Sequence, residues 1–300
     1  MSWQSLLELA KANDTRSIAR CISLIENDEP GYRDLLMSLA NSSTQNVIGI
    51  TGPPGAGKST LTDGLIGQFV EKGMRVAILC IDPSSPFNMG ALLGDRIRMS
   101  AWYTHPRVFI RSLATRGSLG GLHPRILEIT EFLKSMPFDL IIIETVGVGQ
   151  SEIEIAGLAD TTVVVLVPES GDEIQTMKAG LMEIADIFVV NKSDRPEADQ
   201  FTRYIEAMTH SAGKNCPVIK TVASERKGLE ELVAAIEKDL SEISATDRKF
   251  WLLAERAYHL IRNYRMNDIS KSTLRKDIEQ AVKSRDFSLY SFIENYVNGK

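Results

Sequence analysis

The stretch Gly52-Pro53-Pro54-Gly55-Ala56-Gly57-Lys58-Ser59-Thr60 fits the pattern G-x-x-x-x-G-K-[ST]. The apolar run at residues 47–50 precedes it and is typical of a buried strand, and residues 59–71 follow it with apolar side chains at helical spacing. A strand, a glycine loop and a helix in this order predict a phosphate cradle, because loop N–H groups and the helix N-terminus converge on phosphate oxygens. We expect Lys58 to contact the β- and γ-phosphates and the Ser59 hydroxyl to bind Mg²⁺.

Composition places the chain among ordinary globular proteins, with 300 residues, 43% of them hydrophobic and 24% charged. A net charge of −5 argues against nucleic-acid binding. The three cysteines are isolated, so they indicate neither a disulfide framework nor a metal site. The N-terminus lacks a basic segment followed by an apolar one, and the apolar runs are too short to span a bilayer. We therefore expect a cytoplasmic protein without a membrane or nucleic-acid partner.

Short apolar runs alternate with helical segments through the middle of the chain. The predicted strands cover residues 47–50, 76–81, 108–111, 140–143, 162–167, 187–190 and 218–220. This alternation predicts an α/β fold with a doubly wound, mostly parallel sheet, in which ligands bind beyond the carboxyl ends of the strands.

Helical patterns flank this central region at both ends. We expect an N-terminal helical extension at residues 1–44, a P-loop nucleotide-binding domain at residues 45–241 and a C-terminal helical arm at residues 242–300. The apolar stripes of the end helices must be buried somewhere, either against the domain or in a dimer. The sequence leaves both possibilities open.

A guanine-reading motif is predicted by Asn191-Lys192-Ser193-Asp194, which follows the strand at residues 187–190. The Asp194 carboxylate can accept hydrogen bonds from the ring N–H and the 2-amino group of guanine, whereas adenine offers neither donor on that edge. We expect Asn191 to tie the loop to neighbouring backbone and the stem of Lys192 to lie along the base. The loop that contains Ala223 is suited to offer a backbone N–H to the guanine carbonyl oxygen.

Three acidic residues lie where a Mg²⁺-nucleotide complex would need oxygen ligands. Asp82 and Glu144 each end a predicted strand, and Asp95 follows a loop-rich stretch. Mg²⁺ prefers hard oxygen ligands and keeps several waters, so Ser59, two phosphate oxygens and one or two of these carboxylates would complete its shell. A turn or helix cap is the alternative for Asp82, and a surface position is the alternative for Asp95.

The segment at residues 144–152 begins like a γ-phosphate sensor. Gly147 can turn its N–H toward the γ-phosphate and lose that bond on hydrolysis, and Gln150 is a candidate for orienting the attacking water. For Arg111 and Arg116 two interpretations stay open: a guanidinium near the phosphates, or a solvated loop residue or partner contact. The four histidines are scattered, and we expect each to be structural or exposed.

Taken together, these motifs resemble the P-loop GTPases that serve metalloenzymes and cofactor-dependent enzymes, and more narrowly the methylmalonyl-CoA mutase-associated GTPases of the MeaB/ArgK family. The resemblance spans nearly the whole chain and is loosest at its C-terminal end. The matching segments are residues 24–27, 52–60, 82–86, 93–96, 115–117, 120–121, 144–152 and 191–194.

The resemblance implies slow intrinsic hydrolysis of GTP to GDP, with Lys58, Glu144, Gly147 and Gln150 as the catalytic set. It implies a partner, an adenosylcobalamin-dependent acyl-CoA mutase, whose cofactor loading or protection is gated by GTP. It further implies a homodimer through the C-terminal arm and a nucleotide-responsive loop at residues 169–178. The carried-over Mg²⁺ ligands are Ser59, Asp82, Asp95 and Glu144.

Two other functions compete with this interpretation. One is a P-loop ATPase or kinase linked to amino-acid transport, which Asp194 disfavours because an adenine site gains nothing from that carboxylate. The other is a GTP-dependent metallochaperone, which commonly carries cysteine or histidine ligands that this chain does not cluster. No D-x-H-x-x-G motif is present, so cobalamin would be held by the partner.

Overall fold

The computed structural model describes ten stretches of the chain, separated by short gaps. They are residues 2–39, 45–82, 99–116, 122–145, 151–170, 180–211, 216–243, 248–266, 269–283 and 287–298. The chain forms two compact units, Met1–Leu253 and Ala254–Lys300. The domain boundaries expected at residues 44 and 241 stay a prediction.

A seven-stranded sheet is the centre of the first unit. Its strands are β1 (Asn46–Thr51), β2 (Val76–Asp82), β3 (Val108–Ala114), β4 (Leu140–Glu144), β5 (Thr161–Leu166), β6 (Ile187–Asn191) and β7 (Val218–Thr221). The spatial order is β3-β2-β4-β1-β5-β6-β7, and every neighbouring pair is parallel. The predicted doubly wound α/β fold is confirmed.

Helices lie before, between and after these strands. In the first unit they are α1 (Trp3–Lys11), α2 (Thr15–Glu26), α3 (Tyr32–Met37), α4 (Lys58–Glu71), α5 (Ile126–Lys134), α6 (Ser151–Leu158), α7 (Ala198–Ser211) and α8 (Leu229–Ile243). The chain continues through α9 (Arg248–Arg265), α10 (Lys271–Ala281) and α11 (Leu289–Asn298). Among the described helices, none combines the length and apolar character needed to cross a membrane.

Strand β2 shows how the sheet is covered on both faces. Its side chains alternate between faces, so Ala77 and Leu79 belong to one apolar core and Ile78 and Cys80 to another. The first core contains residues of α1, α2, α5 and α6, and the second contains residues of α4 and α8. Because both faces are buried, every residue of β2 is buried, as expected for a central parallel strand.

The N-terminal helices pack back on the sheet. Helix α2 begins after Asp14, whose carboxylate accepts a hydrogen bond from the Ser17 N–H at 2.8 Å. Its buried side chains Ile18, Ile22 and Ile25 recur at helical spacing and join the core that also holds Leu79. For this end of the chain, the question left open by the sequence is therefore answered in favour of the domain.

The C-terminal unit exposes an unusual number of large apolar side chains. They are Tyr258, Ile261, Tyr264, Met266, Val282, Leu289, Tyr290, Ile293 and Val297. Burying such side chains is favourable by roughly 25 cal/mol per Å² of apolar area, so leaving them in water costs free energy.

Candidate functional site

The glycine loop between β1 and α4 has two positions, Gly52 and Gly57, whose backbone conformation and close contacts require glycine. Gly52 has φ +140° and Gly57 has φ +90°. A Cβ on Gly52 would lie 2.1 Å from the Val165 carbonyl oxygen, and one on Gly57 would lie 2.3 Å from the Asn191 side-chain nitrogen. The loop is thus pressed against β5 on one side and against the end of β6 on the other.

Lys58 is the first residue of α4, and its side chain folds back onto the glycine loop. Its ammonium donates to the Gly52 carbonyl at 2.8 Å and to the Pro53 carbonyl at 3.0 Å, and the residue is buried. The loop therefore holds a positive charge at the N-terminus of a helix, where the helix dipole and N–H groups also favour an anion. This arrangement suits the polyphosphate of a nucleotide.

Ser59 is held by Glu144, the last residue of β4. The Ser59 hydroxyl donates to Glu144 Oε1 at 2.6 Å, and both side chains are buried. Next to them, the hydroxyls of Thr51 and Thr145 are 2.8 Å apart. The hydroxyl donates its hydrogen bond to the carboxylate, so the lone pairs of the Ser59 oxygen remain available to bind a cation.

Asp82 ends β2, which is the neighbour of β4 in the sheet. In the β2–β4 register Cys80 pairs with Glu144, so Asp82 lies two residues further along its strand toward the same edge. Asp82 is buried, which a solvated turn residue would not be. A buried hydroxyl and two buried carboxylates at one sheet edge are hard oxygen donors of the kind that Mg²⁺ prefers, so the residues fit that ion. Asp95, Gly147 and Gln150 lie outside the described residues.

Asn191 joins the glycine loop to the segment that follows β7. Its amide nitrogen donates to the Ala56 carbonyl at 2.8 Å, and its oxygen accepts from the Thr221 hydroxyl at 3.0 Å and from the Ala223 N–H at 3.1 Å. One buried side chain thus ties the end of β6 to both the phosphate cradle and the segment after β7. The Ala223 N–H bonds to Asn191 here, so its predicted contact with guanine stays a prediction.

Lys192 and Asp194 follow Asn191 and have different surroundings. Lys192 has φ +56°, and its ammonium donates to the Gly55 carbonyl at 2.7 Å, which lays its stem across the cradle. The Ser193 N–H donates to the Thr221 carbonyl at 3.0 Å, and Arg195 forms an ion pair with Glu169. Between these two anchors the Asp194 side chain is exposed, and its predicted contact with guanine stays a prediction.

Arg111 and Arg116 both contact helix α2, and the two interpretations that the sequence left open stay predictions. Each guanidinium forms an ion pair with Glu26 of α2, at 2.7 Å for Arg111 and 3.1 Å for Arg116. Sequence reasoning missed the role of Glu26, although the residue falls within a segment that resembles the MeaB/ArgK family. No local pattern could have paired it with arginines that follow it by 85 and 90 residues.

His123 is a buried histidine near the same carboxylate. It is 1% exposed, and its Nδ1 accepts the Arg125 N–H at 3.0 Å. Burial lowers the pKa of His123 to about 4, and the positive charges of Arg116, Arg125 and Arg111 lower it too, while Glu26 opposes them. The imidazole is therefore neutral at pH 7, and the structural role expected for it stays a prediction.

This pKa predicts a stability that falls in mild acid. The unfolded chain takes up a proton near pH 6.5, whereas folded His123 stays neutral down to about pH 4, so the free energy of unfolding decreases as the pH falls through that window. We expect His123→Asn to remove up to about 3 kcal/mol of this pH dependence. Urea unfolding at several pH values between 7.5 and 4.5 measures it. The exposed His210, changed to Asn, is the control, and equal slopes for wild type and His123→Asn would contradict the prediction.

The chain is similar in sequence to known proteins. The sequence profile of the family described as methylmalonyl-CoA mutase-associated GTPase MeaB matches residues 18–277. A relative from Pyrococcus abyssi, with the word GTPase in its name, is 49% identical over 237 residues, which make up 76% of this chain and 72% of the relative. A fused isobutyryl-CoA mutase from Cupriavidus metallidurans is 37% identical over 230 residues, 73% of this chain and 21% of that protein.

A solved structure described as a LAO/AO transport system kinase is also similar. Its TM-score is 0.67 at 22% sequence identity, with 99% of this chain and 96% of that chain covered. At this level of identity the likeness concerns the fold alone.

The relatives and the geometry agree on the nucleotide and on the reaction. The relatives carry the word GTPase in their names, and the glycine loop tied to Asn191 fits a nucleotide site. The chain is therefore a P-loop GTPase, which converts GTP and water to GDP and phosphate. Since the family profile covers most of its length, it belongs to the methylmalonyl-CoA mutase-associated GTPases of the MeaB family.

Proposed function

We propose that this GTPase serves an adenosylcobalamin-dependent acyl-CoA mutase of the methylmalonyl-CoA mutase type. GTP binding and hydrolysis gate the loading of the cofactor into the mutase and protect the mutase from inactivation. The observation that carries the proposal is the relative in which a region like this chain is fused to an isobutyryl-CoA mutase. A covalent fusion keeps two activities at high effective concentration, which is useful only where they act on each other.

The nucleotide chemistry of the proposal is assigned to residues on the loop ends of the sheet. The loop from Gly52 to Gly57 and Thr60 at the start of α4 cradle the phosphates, Lys58 turns from the loop carbonyls to the phosphate oxygens, and Asp194 reads guanine. Ser59, Asp82, Glu144 and Asp95 would hold Mg²⁺, which supplies positive charge to the phosphate oxygens when bound. Gly147 and Gln150 keep the sensor and water-orienting roles expected for them.

The C-terminal arm at residues 242–300 is proposed to form a homodimer. Support comes from the exposed apolar side chains of the unit Ala254–Lys300, which a second copy would cover. Sedimentation of the full chain measures this state. A cytoplasmic location and the lack of a nucleic-acid partner complete the proposal, the latter supported by the net charge of −5.

The partner is tested by GTP turnover with and without a cobalamin-dependent acyl-CoA mutase from the same cell. We expect turnover to rise by roughly tenfold or more when the mutase is added, because a bound partner can order the residues around the γ-phosphate and so favour hydrolysis. A matched amount of an enzyme without cobalamin is the control. Unchanged turnover with every such mutase of the cell, together with no co-purification, would contradict the mutase partner and leave a nucleotide switch of another system.

The competing functions give different results in the same material. Calorimetry with GDP and ADP separates a guanine site from a kinase or ATPase site, because the Asp194 carboxylate would be left without its two donors on an adenine ring. A metallochaperone would in addition bind a transition metal in a GTP-dependent way, which titration of nickel with and without GTP detects.

A further inference from the structure

Four side chains from separate parts of the chain meet at the tip of helix α2. They are Glu26 of α2, Arg111 of β3, Arg116 just after β3 and His123 just before α5, here called the Glu26 cluster. Glu26 is the centre: its Oε2 accepts from Arg111 at 2.7 Å and its Oε1 from Arg116 at 3.1 Å. The His123 Nε2 lies 4.0 Å from the same Oε1.

Arg116 is held by more than the carboxylate. Its Nη1 donates to the backbone carbonyl of Glu26 at 3.0 Å, and its Nη2 also donates to the side-chain oxygen of Asn27 at 2.8 Å. A planar guanidinium that contacts three acceptors at one helix end fixes direction as well as distance. Arg116 has φ +48°, a backbone conformation that a non-glycine residue keeps only where its surroundings impose it.

The ion pairs of Glu26 are strengthened by its poor solvation. Its side chain is 12% exposed, so its charge is screened less by water than that of a surface carboxylate. His123 is neutral in this setting, and the Glu26 carboxylate pairs with two guanidinium groups. Removing the carboxylate would leave both arginines partly buried without their shared counter-charge.

The Glu26 cluster is linked to the metal end of the nucleotide site by consecutive residues. Ala114 pairs with Asp82 in the β2–β3 register, and the next residue, Thr115, donates its N–H to the Asp82 carbonyl at 3.0 Å. Arg116 comes directly after Thr115. The Asp82 backbone is thus hydrogen-bonded to Thr115, and the next residue, Arg116, is held by Glu26.

We infer that Glu26 is a positioning residue for the Mg²⁺-nucleotide site, acting through Arg116 and Thr115 on Asp82, so that the N-terminal helices form part of the nucleotide machinery. This inference rests on the proposed function, in which Asp82 takes part in holding Mg²⁺. It assigns to α2 a function beyond filling the core, because the contacts at its tip are charged and directional while its apolar side chains already provide the packing.

Release of a fluorescent GDP analogue, measured over a range of Mg²⁺ concentrations, tests the inference without using hydrolysis. Glu26→Gln is expected to raise the Mg²⁺ concentration that half-maximally slows release by about tenfold, as loss of outer-shell partners typically does. Asp28→Asn is the matched control, because Asp28 pairs with Arg125 at 2.6 Å instead of with Arg111 or Arg116. For this control we expect a change within about twofold.

Each outcome decides between stated alternatives. If Mg²⁺ does not slow release from the wild-type chain, the proposed metal site fails and the inference fails with it. If Mg²⁺ slows release equally in wild type and Glu26→Gln, the metal site stands and Glu26 is structural only. Should Glu26→Gln not fold, Glu26→Asp and Arg116→Lys decide in the same titration, because neither can make the full set of contacts; wild-type values in both would overturn the inference. Faster hydrogen exchange at the Thr115 amide in any folded variant would support it.

Discussion

Ser59→Ala is expected to lower GTP turnover at saturating GTP by about two to three orders of magnitude, because the change removes a hydroxyl ligand of the proposed Mg²⁺. In the structure this hydroxyl lies 2.6 Å from Glu144 Oε1 in a buried setting, so no neighbouring water is needed to place its oxygen. A water that replaced it in the variant would have to be ordered anew beside the carboxylate. We therefore expect turnover to require a higher Mg²⁺ concentration as well.

Steady-state kinetics over a range of Mg²⁺ concentrations measures both effects. Thr62→Ala is the matched control, since Thr62 lies on the same helix, is buried, and donates its hydroxyl to the Lys58 carbonyl at 2.9 Å. This control removes a hydroxyl that back-bonds to its own helix, and turnover should stay within about twofold of wild type. Wild-type turnover and Mg²⁺ dependence in Ser59→Ala would refute the assignment of Ser59 to the metal.

Asp194→Asn is expected to weaken GTP binding by about a hundredfold, because two hydrogen bonds to a charged acceptor are replaced by a mismatched amide. Xanthosine triphosphate should bind better to this variant than to wild type, since its ring offers a carbonyl where guanine has the amino group. The substitution should leave the conformation of the loop unchanged, because Asp194 is exposed. Ser193 and Arg195 on either side are held by Thr221 and Glu169.

Calorimetry with the two nucleotides checks this exchange of preference. Asp199→Asn is the control, because Asp199 is an exposed carboxylate close in sequence, on α7, that pairs with Lys220 at 2.9 Å. It should leave both affinities within about twofold, as is usual for a surface ion pair. If GTP affinity is the same in Asp194→Asn as in wild type, Asp194 does not read the base.

The inner strands were predictable because each is a mostly apolar run that is buried almost throughout. Residues 76–81 were predicted as a strand and β2 covers Val76–Asp82, one residue more, since Asp82 continues the pairing with β3. Strand β3 exceeds its predicted end more clearly, through Ala114, because Ser112 breaks the apolar pattern while its backbone still pairs with β2. A polar side chain interrupts the apolar pattern, so the pattern alone does not show that the backbone continues as a strand.

Local motifs likewise predicted the nucleotide site, because each combines a backbone geometry with one chemistry. The glycines of the loop and the carboxylate of Asp194 are examples. The pattern could not show that the Asn191 side chain bonds at once to Ala56, Thr221 and Ala223, since these residues are distant along the chain.

By itself, then, the sequence predicted the strands, the glycine loop and the guanine motif, each of which depends on a short stretch of the chain. Only the tertiary structure decided where the N-terminal helices pack and which carboxylate Arg111 and Arg116 meet. The physical reason is that an ion pair depends on distance in space. Glu26 reaches both arginines because the apolar face of α2 is buried against the sheet, and that docking brings the end of the helix to the loop edge beside Asp82.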